Sequence, residues 1–174
     1  MSSFLSPIPK HEFSYVFQIL DAAFPPQEKR TRQEQERLLD NPHYHLYVHR
    51  NEGNIVAFLA FWEFDQFRFL EHFAVEKTCR GGGLGRTLLE DFQHMSHKPI
   101  CLEVEPGDQE LARRRIGFYK RSGFHLNEFA YEQPALQADQ GPIPLQIMSY
   151  PSPLTLQEFQ NFRQTVYHHV YQVK

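Results

Sequence analysis

The feature that most constrains this chain is a glycine run between an apolar strand end and an amphipathic helix. Residues 73–89 spell FAVEKTCRGGGLGRTLL, and leucines follow the glycines at helical spacing. Glycines let backbone N–H groups approach an anion, and a helix start adds about half a positive charge. Arg80 and Arg86 flank the run. The segment predicts an anion-binding strand–loop–helix, although a flexible turn whose glycines serve only tight packing remains an alternative.

Two familiar nucleotide-binding motifs do not match this loop. A Walker A loop requires Gly at the position of Arg80 and Lys at Arg86. The dinucleotide fingerprint requires Gly, after Gly81 and Gly83, at the position that Arg86 occupies. Neither a P-loop nor a dinucleotide site is therefore expected.

The order of apolar patterns predicts a mixed α/β chain. Apolar residues at three- and four-residue spacing predict a helix over 11–24, and Pro25 and Pro26 end it and open a charged helix through about Leu39. Antiparallel strands are expected next, followed by alternating helices and strands. The strands are predicted at 44–50, 55–64, 67–75, 100–105, 125–132 and 145–150, and the later helices at 84–97, 109–121 and 155–171.

Length and charge limit the classes of function. A chain of 174 residues fits one domain over 1–174, with 155–174 as a C-terminal helix. The net charge of −3 is not the basic surface that nucleic acids or anionic membranes require. The longest apolar run, 55–62, is too short for a membrane span. No secretory signal or cysteine pair is visible, so a cytoplasmic setting is expected, and the histidines lack the spacing of a metal site.

Four separated segments resemble one known family. Arg80, Gly83 and Gly85 satisfy the pattern Arg/Gln-x-x-Gly-x-Gly/Ala, which resembles motif A of the GNAT superfamily of acetyl-CoA-dependent N-acetyltransferases. The strand LEHFAV, the strand CLEVEP and the segment RRRIGFYKRSGF stand in the order of that superfamily. The FYKRSGF segment and the Tyr-x-Gln-Pro element at 131–134 are similar to a bacterial group of poorly defined substrate. The resemblance is strongest over 70–124.

The resemblance implies a fold and a cofactor site. The implied fold is an α/β (α+β) arrangement with a mixed, mostly antiparallel central sheet flanked by helices. The implied co-substrate is acetyl-CoA, without a metal. Its pantetheine arm would bind a bulged strand end and its pyrophosphate the loop amides. The implied cofactor-binding residues are Phe73, Ala74, Val75, Arg80, Gly81, Gly82, Gly83, Leu84, Gly85 and Arg86.

The implied reaction is direct attack of a primary amine, on a small molecule or a peptide, on the acetyl thioester in a ternary complex. An alkylammonium has a pKa near 10.4, so it must first lose a proton. Glu71 is the first candidate base and Glu103 the second, directly or through a water relay. His72, on the opposite strand face from Glu71, is less favoured. The alternative is that these carboxylates are solvated or paired with the arginines at 113–115.

Tyr119 aligns with the tyrosine that in many relatives protonates the departing thiolate, whereas a purely packing aromatic is the alternative. One departure concerns the loop after the second motif strand, where many relatives carry a cofactor-contacting Asn and this chain has PGDQ at 106–109. The sequence therefore departs from the family pattern at that contact.

Two other functions remain open from the sequence. One is a non-catalytic acyl-CoA-binding regulator on the same scaffold, and the other is an interaction domain without a CoA site. The terminal helix has an apolar face that would pack either on the domain or on a second copy of the chain, as a homodimer. No residue set identifies the acceptor amine.

Overall fold

The computed structural model describes residues 3–173, so Met1, Ser2 and Lys174 lie outside the described residues. The described chain forms two compact units. The first contains residues up to 64 and residues 70–97, and the second contains residues 65–69 and those from 98 onward. The single domain expected over 1–174 stays a prediction.

Strands β1 to β4 lie in that order, and the first unit contains them, apart from the first two residues of β4, together with three helices. The pairs β1–β2 and β2–β3 are antiparallel, and Glu52 and Gly53, both with positive φ, form the tight turn between β2 and β3. The elements are β1 (Ser6–Pro7), α1 (Phe13–Ala23), α2 (Arg32–Arg37), β2 (Tyr44–Asn51), β3 (Asn54–Glu63), β4 (Arg68–Val75) and α3 (Leu84–His94).

The segment after α1 differs from the single charged helix that the sequence predicts. Pro25 is extended, and a short 3₁₀ turn covers Pro26–Glu28. The α-helix begins only after Thr31, whose side chain forms a capping box with Glu34, and the helix is six residues long. A second 3₁₀ turn, Leu38–Asp40, follows. The cap at Thr31 fixes the helix start, so the connection from α1 to α2 is an irregular segment.

The second unit begins with the first two residues of β4, where the Arg68 N–H donates to the Pro99 carbonyl at 2.8 Å. From β4 the strand order is β5, β7, β6, and β7 pairs antiparallel with both β5 and β6. The predicted mixed α/β fold with mostly antiparallel strands flanked by helices is confirmed. The elements are β5 (Ile100–Val104), α4 (Glu110–Arg121), β6 (His125–Gln133), β7 (Ile143–Tyr150) and α5 (Leu156–His169).

The apolar face of α5 packs within the second unit. Phe159, Phe162 and Val166 are buried, and the Phe162 ring lies 5.5 Å from the ring of Phe67 and 5.8 Å from that of Phe69. Edge-to-face contacts of this kind are favoured by the ring quadrupoles. The sequence left open whether this face packs on the chain itself or on a second copy. In the structure the face packs on the chain itself.

Asn127 forms hydrogen bonds that hold the segment leading into α5. It lies where the β6–β7 register shifts, and its side chain is buried. The amide nitrogen donates to the Ser149 hydroxyl at 2.9 Å, and the amide oxygen accepts the Leu154 N–H at 2.8 Å. One side chain therefore satisfies polar groups on β7 and on the segment before α5.

Replacing Asn127 with Ala is expected to lower the free energy of unfolding by about 2 kcal/mol or more, because each buried polar group left unpaired costs about 1–3 kcal/mol. Urea unfolding at neutral pH measures the loss. Asn161→Ala is the control, since its amide makes an exposed hydrogen bond to Gln66. Such a surface change should stay within about 0.5 kcal/mol. Equal losses in both variants would contradict the role of Asn127.

Candidate active-site residues

The glycine loop adopts a conformation that requires glycine at two positions. A 3₁₀ turn over Lys77–Cys79 follows β4, and the chain is exposed from Arg80 to Gly83. Gly81 has φ +91° and Gly83 has φ +84°, in the left-handed region that side chains disfavour. Gly83 is the N-cap of α3. The loop therefore turns sharply into the helix with its backbone uncovered.

The backbone amides of this loop are its main chemical feature. Within the part of the chain that the structure describes, the six N–H groups of residues 81–86 donate to no protein acceptor. The first N–H of α3 with a partner is that of Thr87, which donates to the Gly83 carbonyl at 3.1 Å. These donors stand at a helix start, which carries about half a positive charge. The loop therefore presents unpaired donors of the kind that bind anions at helix starts.

The predicted flanking arginines are exposed and partly engaged. Arg80 Nε donates to the Val75 carbonyl at 2.8 Å, and Arg86 Nε pairs with the Glu90 carboxylate at 2.9 Å. A guanidinium has five N–H donors, so each arginine uses only part of its set in these contacts. Among the predicted pantetheine-binding residues, Ala74 is buried and Phe73 and Val75 are half-buried.

The Glu71 side chain is buried in an ion pair. Its Oε2 lies 2.9 Å from Nη1 of Arg30, and the two side chains are 3 % and 7 % exposed. The indole N–H of Trp62 donates to Oε1 at 2.8 Å. Burial by itself would raise the pKa of Glu71, but the Arg30 charge and the hydrogen bonds outweigh it and lower the pKa. The alternative of a solvated carboxylate is wrong for Glu71, whose partner is an arginine that the motifs did not mark.

This ion pair belongs to a buried polar network in the first unit. The Gln35 amide oxygen lies 3.4 Å from Nη1 of Arg30, and the Gln35 amide nitrogen donates to the Tyr44 hydroxyl at 2.9 Å. Burial, together with the Glu71 charge, raises the pKa of Tyr44. The network joins the α1–α2 segment to strands β2, β3 and β4.

His72, the neighbour of Glu71, is buried and neutral. One imidazole nitrogen, Nε2, donates to the Glu28 carbonyl at 2.6 Å, which assigns the proton to that nitrogen. The edge of the Phe24 ring packs against it at 4.8 Å. Burial lowers the pKa of His72, so the ring stays uncharged at neutral pH. His72 therefore anchors the segment after α1.

Glu103 of β5, in the second unit, has two phenol partners. The Tyr131 hydroxyl donates to Oε2 at 2.5 Å and the Tyr171 hydroxyl donates to Oε1 at 2.6 Å. Sequence reasoning missed both tyrosines as partners. Tyr131 stands in the Tyr-x-Gln-Pro element, which was a usable signal, whereas nothing in the local pattern marks Tyr171.

Tyr119 lies on α4 between the rings of Phe118 and Phe124, at 5.2 and 5.4 Å. Burial raises the pKa of Tyr119 to about 12, so the phenol keeps its proton at neutral pH. Its hydroxyl makes no hydrogen bond to any residue among 3–173.

The PGDQ loop at 106–109 is held by Arg113, whose Nη1 donates to the Gly107 and Asp108 carbonyls at 3.2 Å.

Among residues 3–173 there is neither a metal-binding cluster nor a helix suited to span a membrane. No group of three or more His, Cys, Asp or Glu side chains there could hold a metal ion. None of the helices described has the length and apolar character needed to cross a bilayer.

Comparisons with known proteins agree with one another. A family model described as "Acetyltransferase (GNAT) domain" matches residues 42–126. The chain is 34 % identical over 127 residues to "Putative acetyltransferase YjbC" of Bacillus subtilis (strain 168), covering 71 % of this chain. It spans 64 % of the length of that relative, which is less than two thirds.

Solved structures extend the similarity to nearly the whole chain. "Putative acetyltransferase from GNAT family" of Bacteroides thetaiotaomicron is 31 % identical with a TM-score of 0.90, covering 98 % of this chain and 99 % of that one. An aminoglycoside 6'-N-acetyltransferase complexed with coenzyme A is 14 % identical with a TM-score of 0.65. It covers 87 % of this chain and 98 % of its own, and at this identity it shows a common fold.

Glu71→Gln is expected to lower the free energy of unfolding by about 3–5 kcal/mol at pH 7, because it removes the carboxylate that pairs with the buried Arg30 charge. Urea unfolding measures it. The double variant with Arg30→Met should lose less than the sum of the single losses.

The stability loss in Glu71→Gln should depend on pH, because folding lowers the pKa of Glu71. Since the pKa of Glu71 is lowered on folding, the ion pair contributes fully above the ordinary glutamate pKa of about 4.3 and less as pH falls through the folded value. The gap between wild type and Glu71→Gln should therefore narrow in acid. A gap that is constant with pH would contradict the ion pair.

Proposed function

The chain belongs to the GNAT family of acetyltransferases, and from this premise we propose that it transfers an acetyl group from acetyl-CoA to a primary amine. The observation that carries the proposal is the row of six unused amides at the start of α3. When bound, acetyl-CoA supplies the activated acetyl thioester. The amine would attack it directly within a ternary complex.

The loop residues fit a diphosphate. An added Cβ at Gly81, Gly82 or Gly83 would meet no protein atom within 4 Å, so the amides are open to an incoming group. Phosphate oxygens accept hydrogen bonds from such amides, and a helix start favours their negative charge. Arg80 and Arg86 bring two further cations to the same segment. The cofactor set expected from the resemblance, Phe73–Val75 with Arg80–Arg86, is retained in this proposal.

We propose Glu103, rather than the first candidate Glu71, as the group that receives the amine proton. Glu71 is poorly placed to receive a proton because its side chain is 3 % exposed and Arg30 lies against its carboxylate. Glu103 is half-buried, and two tyrosine hydroxyls donate to its oxygens at 2.5 and 2.6 Å. The proton would move directly or through a water molecule. Glu71 then has a structural function, holding the α1–α2 segment.

Tyr119 is proposed as the proton donor to the departing thiolate. A phenol with a pKa of about 12 is protonated at every working pH, so Tyr119 carries the proton that it would donate. A thiol has a pKa near 8.5, so proton transfer from this phenol to a thiolate is uphill and depends on position and local field. The acceptor is proposed to be a small-molecule or peptide amine, because a net charge of −3 offers no surface for nucleic acid.

The loop is tested by two matched glycine variants. Gly83 and Gly53 have nearly the same φ, +84° and +83°, and open space around a new Cβ. Alanine at either should cost about 1–2 kcal/mol of stability. Only Gly83→Ala should also weaken CoA binding, by about tenfold (about 1.4 kcal/mol). The reason is that an alanine strained at this φ would rotate the backbone N–H groups of the loop away from the phosphates. Calorimetric titration with CoA gives the affinities. Equal CoA affinity in the two variants would exclude the loop as the binding site.

Catalysis is tested by thiol release from acetyl-CoA across a panel of primary amines. Glu103→Gln and Tyr119→Phe should each lower kcat about 100-fold or more, the usual size of a general acid or base effect. Tyr15→Phe, at an exposed position, is the control and should keep the wild-type rate. Saturable CoA binding without turnover of any amine would favour the non-catalytic regulator instead.

A further inference from the structure

The Glu103 carboxylate is held on both oxygens by side chains from two different parts of the second unit. Tyr131 on β6 donates to one oxygen, and Tyr171, two residues beyond the end of α5, donates to the other. Both separations, 2.5 and 2.6 Å, lie in the range of short hydroxyl–carboxylate hydrogen bonds. Tyr131 stands in the Tyr-x-Gln-Pro element, whereas Tyr171 stands in none of the motifs that carry the resemblance.

Both tyrosines are fixed by packing. Tyr131 is 8 % exposed, and its ring lies 5.9 Å from the ring of Phe162. Tyr171 is 9 % exposed, and its backbone N–H donates to the Val166 carbonyl at 3.2 Å. Their hydroxyls are therefore presented from rigid positions, which orients the carboxylate between them.

We infer that Tyr131 and Tyr171 are positioning residues that hold Glu103 ionised and oriented as the proton acceptor. This inference rests on the proposed function. A hydrogen bond donated to a carboxylate favours its charged form. The carboxylate has about four lone-pair positions, and the phenols fill one on each oxygen. The segment following α5 thereby becomes part of the catalytic apparatus.

A third tyrosine, on α5, lies near Glu103 and offers a matched comparison. The Tyr167 hydroxyl donates to the Glu132 carbonyl, although its ring is close enough to sense the Glu103 charge. The cross-strand neighbour on β7 is the buried, apolar Ile147. The arginines of α4 at 113–115 are exposed, and Glu105 follows the last residue of β5. Tyr131 and Tyr171 are the hydroxyls to test, because each donates to a Glu103 oxygen.

The direct experiment is a side-chain carboxyl carbon NMR titration of Glu103 in the full chain, with Glu103→Gln to assign the signal. Tyr131→Phe and Tyr171→Phe each remove one hydroxyl and keep the packed ring. Each should shift the Glu103 titration upward by about one pH unit, a tenfold change, in line with the loss of one hydrogen bond to a charged group. Tyr167→Phe is the matched control and should leave the titration unchanged.

The kinetic arm uses the pH profile of kcat/KM. Its acidic limb should move upward by the same amount in the two Phe variants and stay in place in Tyr167→Phe. Each phenol is tested separately, with melting curves, so that unfolding of one variant leaves the other informative. An unshifted Glu103 signal overturns the positioning role whatever the activity. A shifted signal with full activity in Glu103→Gln overturns the proposed base, and the positioning role with it.

Discussion

The left-handed backbone at Gly83 is the constraint on which the chemistry of this chain depends. Because that residue caps α3 in a conformation open to glycine, the chain enters the helix abruptly, and the preceding amides find no carbonyl within reach. An α-helix leaves its first N–H groups unpaired, and most helices cover them with a side-chain cap. Gly83 occupies the N-cap position of α3 but makes no side-chain hydrogen bond to these N–H groups. The unsatisfied donors are the reason this loop is proposed as the diphosphate site.

Two strand carboxylates with similar sequence settings have opposite environments. Glu71 pairs with Arg30 in the interior of the first unit, whereas Glu103 accepts hydrogen bonds from two tyrosine hydroxyls in the second. A buried ion pair is costly to break, and hydrogen bonds donated to a carboxylate favour its charged form. This difference is the basis for proposing a structural role for Glu71 and a chemical role for Glu103, which the residue type alone would not suggest.

Much of the fold followed from local pattern. The strands before the glycine loop, the helix after it and the terminal helix were predicted within a few residues, because apolar periodicity and turn residues act locally. The charged helix after Pro26 was the main error, since the cap at Thr31 divides that segment. Family membership followed from four separated motifs, and the comparisons confirm it.

The sequence by itself determined the family, the glycine loop and the identity of the candidate carboxylates and phenol, because these depend on residue type at fixed local spacing. Only the tertiary structure decided their partners. Arg30 and Glu71 are 41 positions apart in the sequence, and Tyr171 and Glu103 are 68 positions apart. Neither contact can be predicted from the local sequence pattern. The charge state of a side chain depends on burial and on such distant neighbours, so the environment of each carboxylate was decided only by the folded chain.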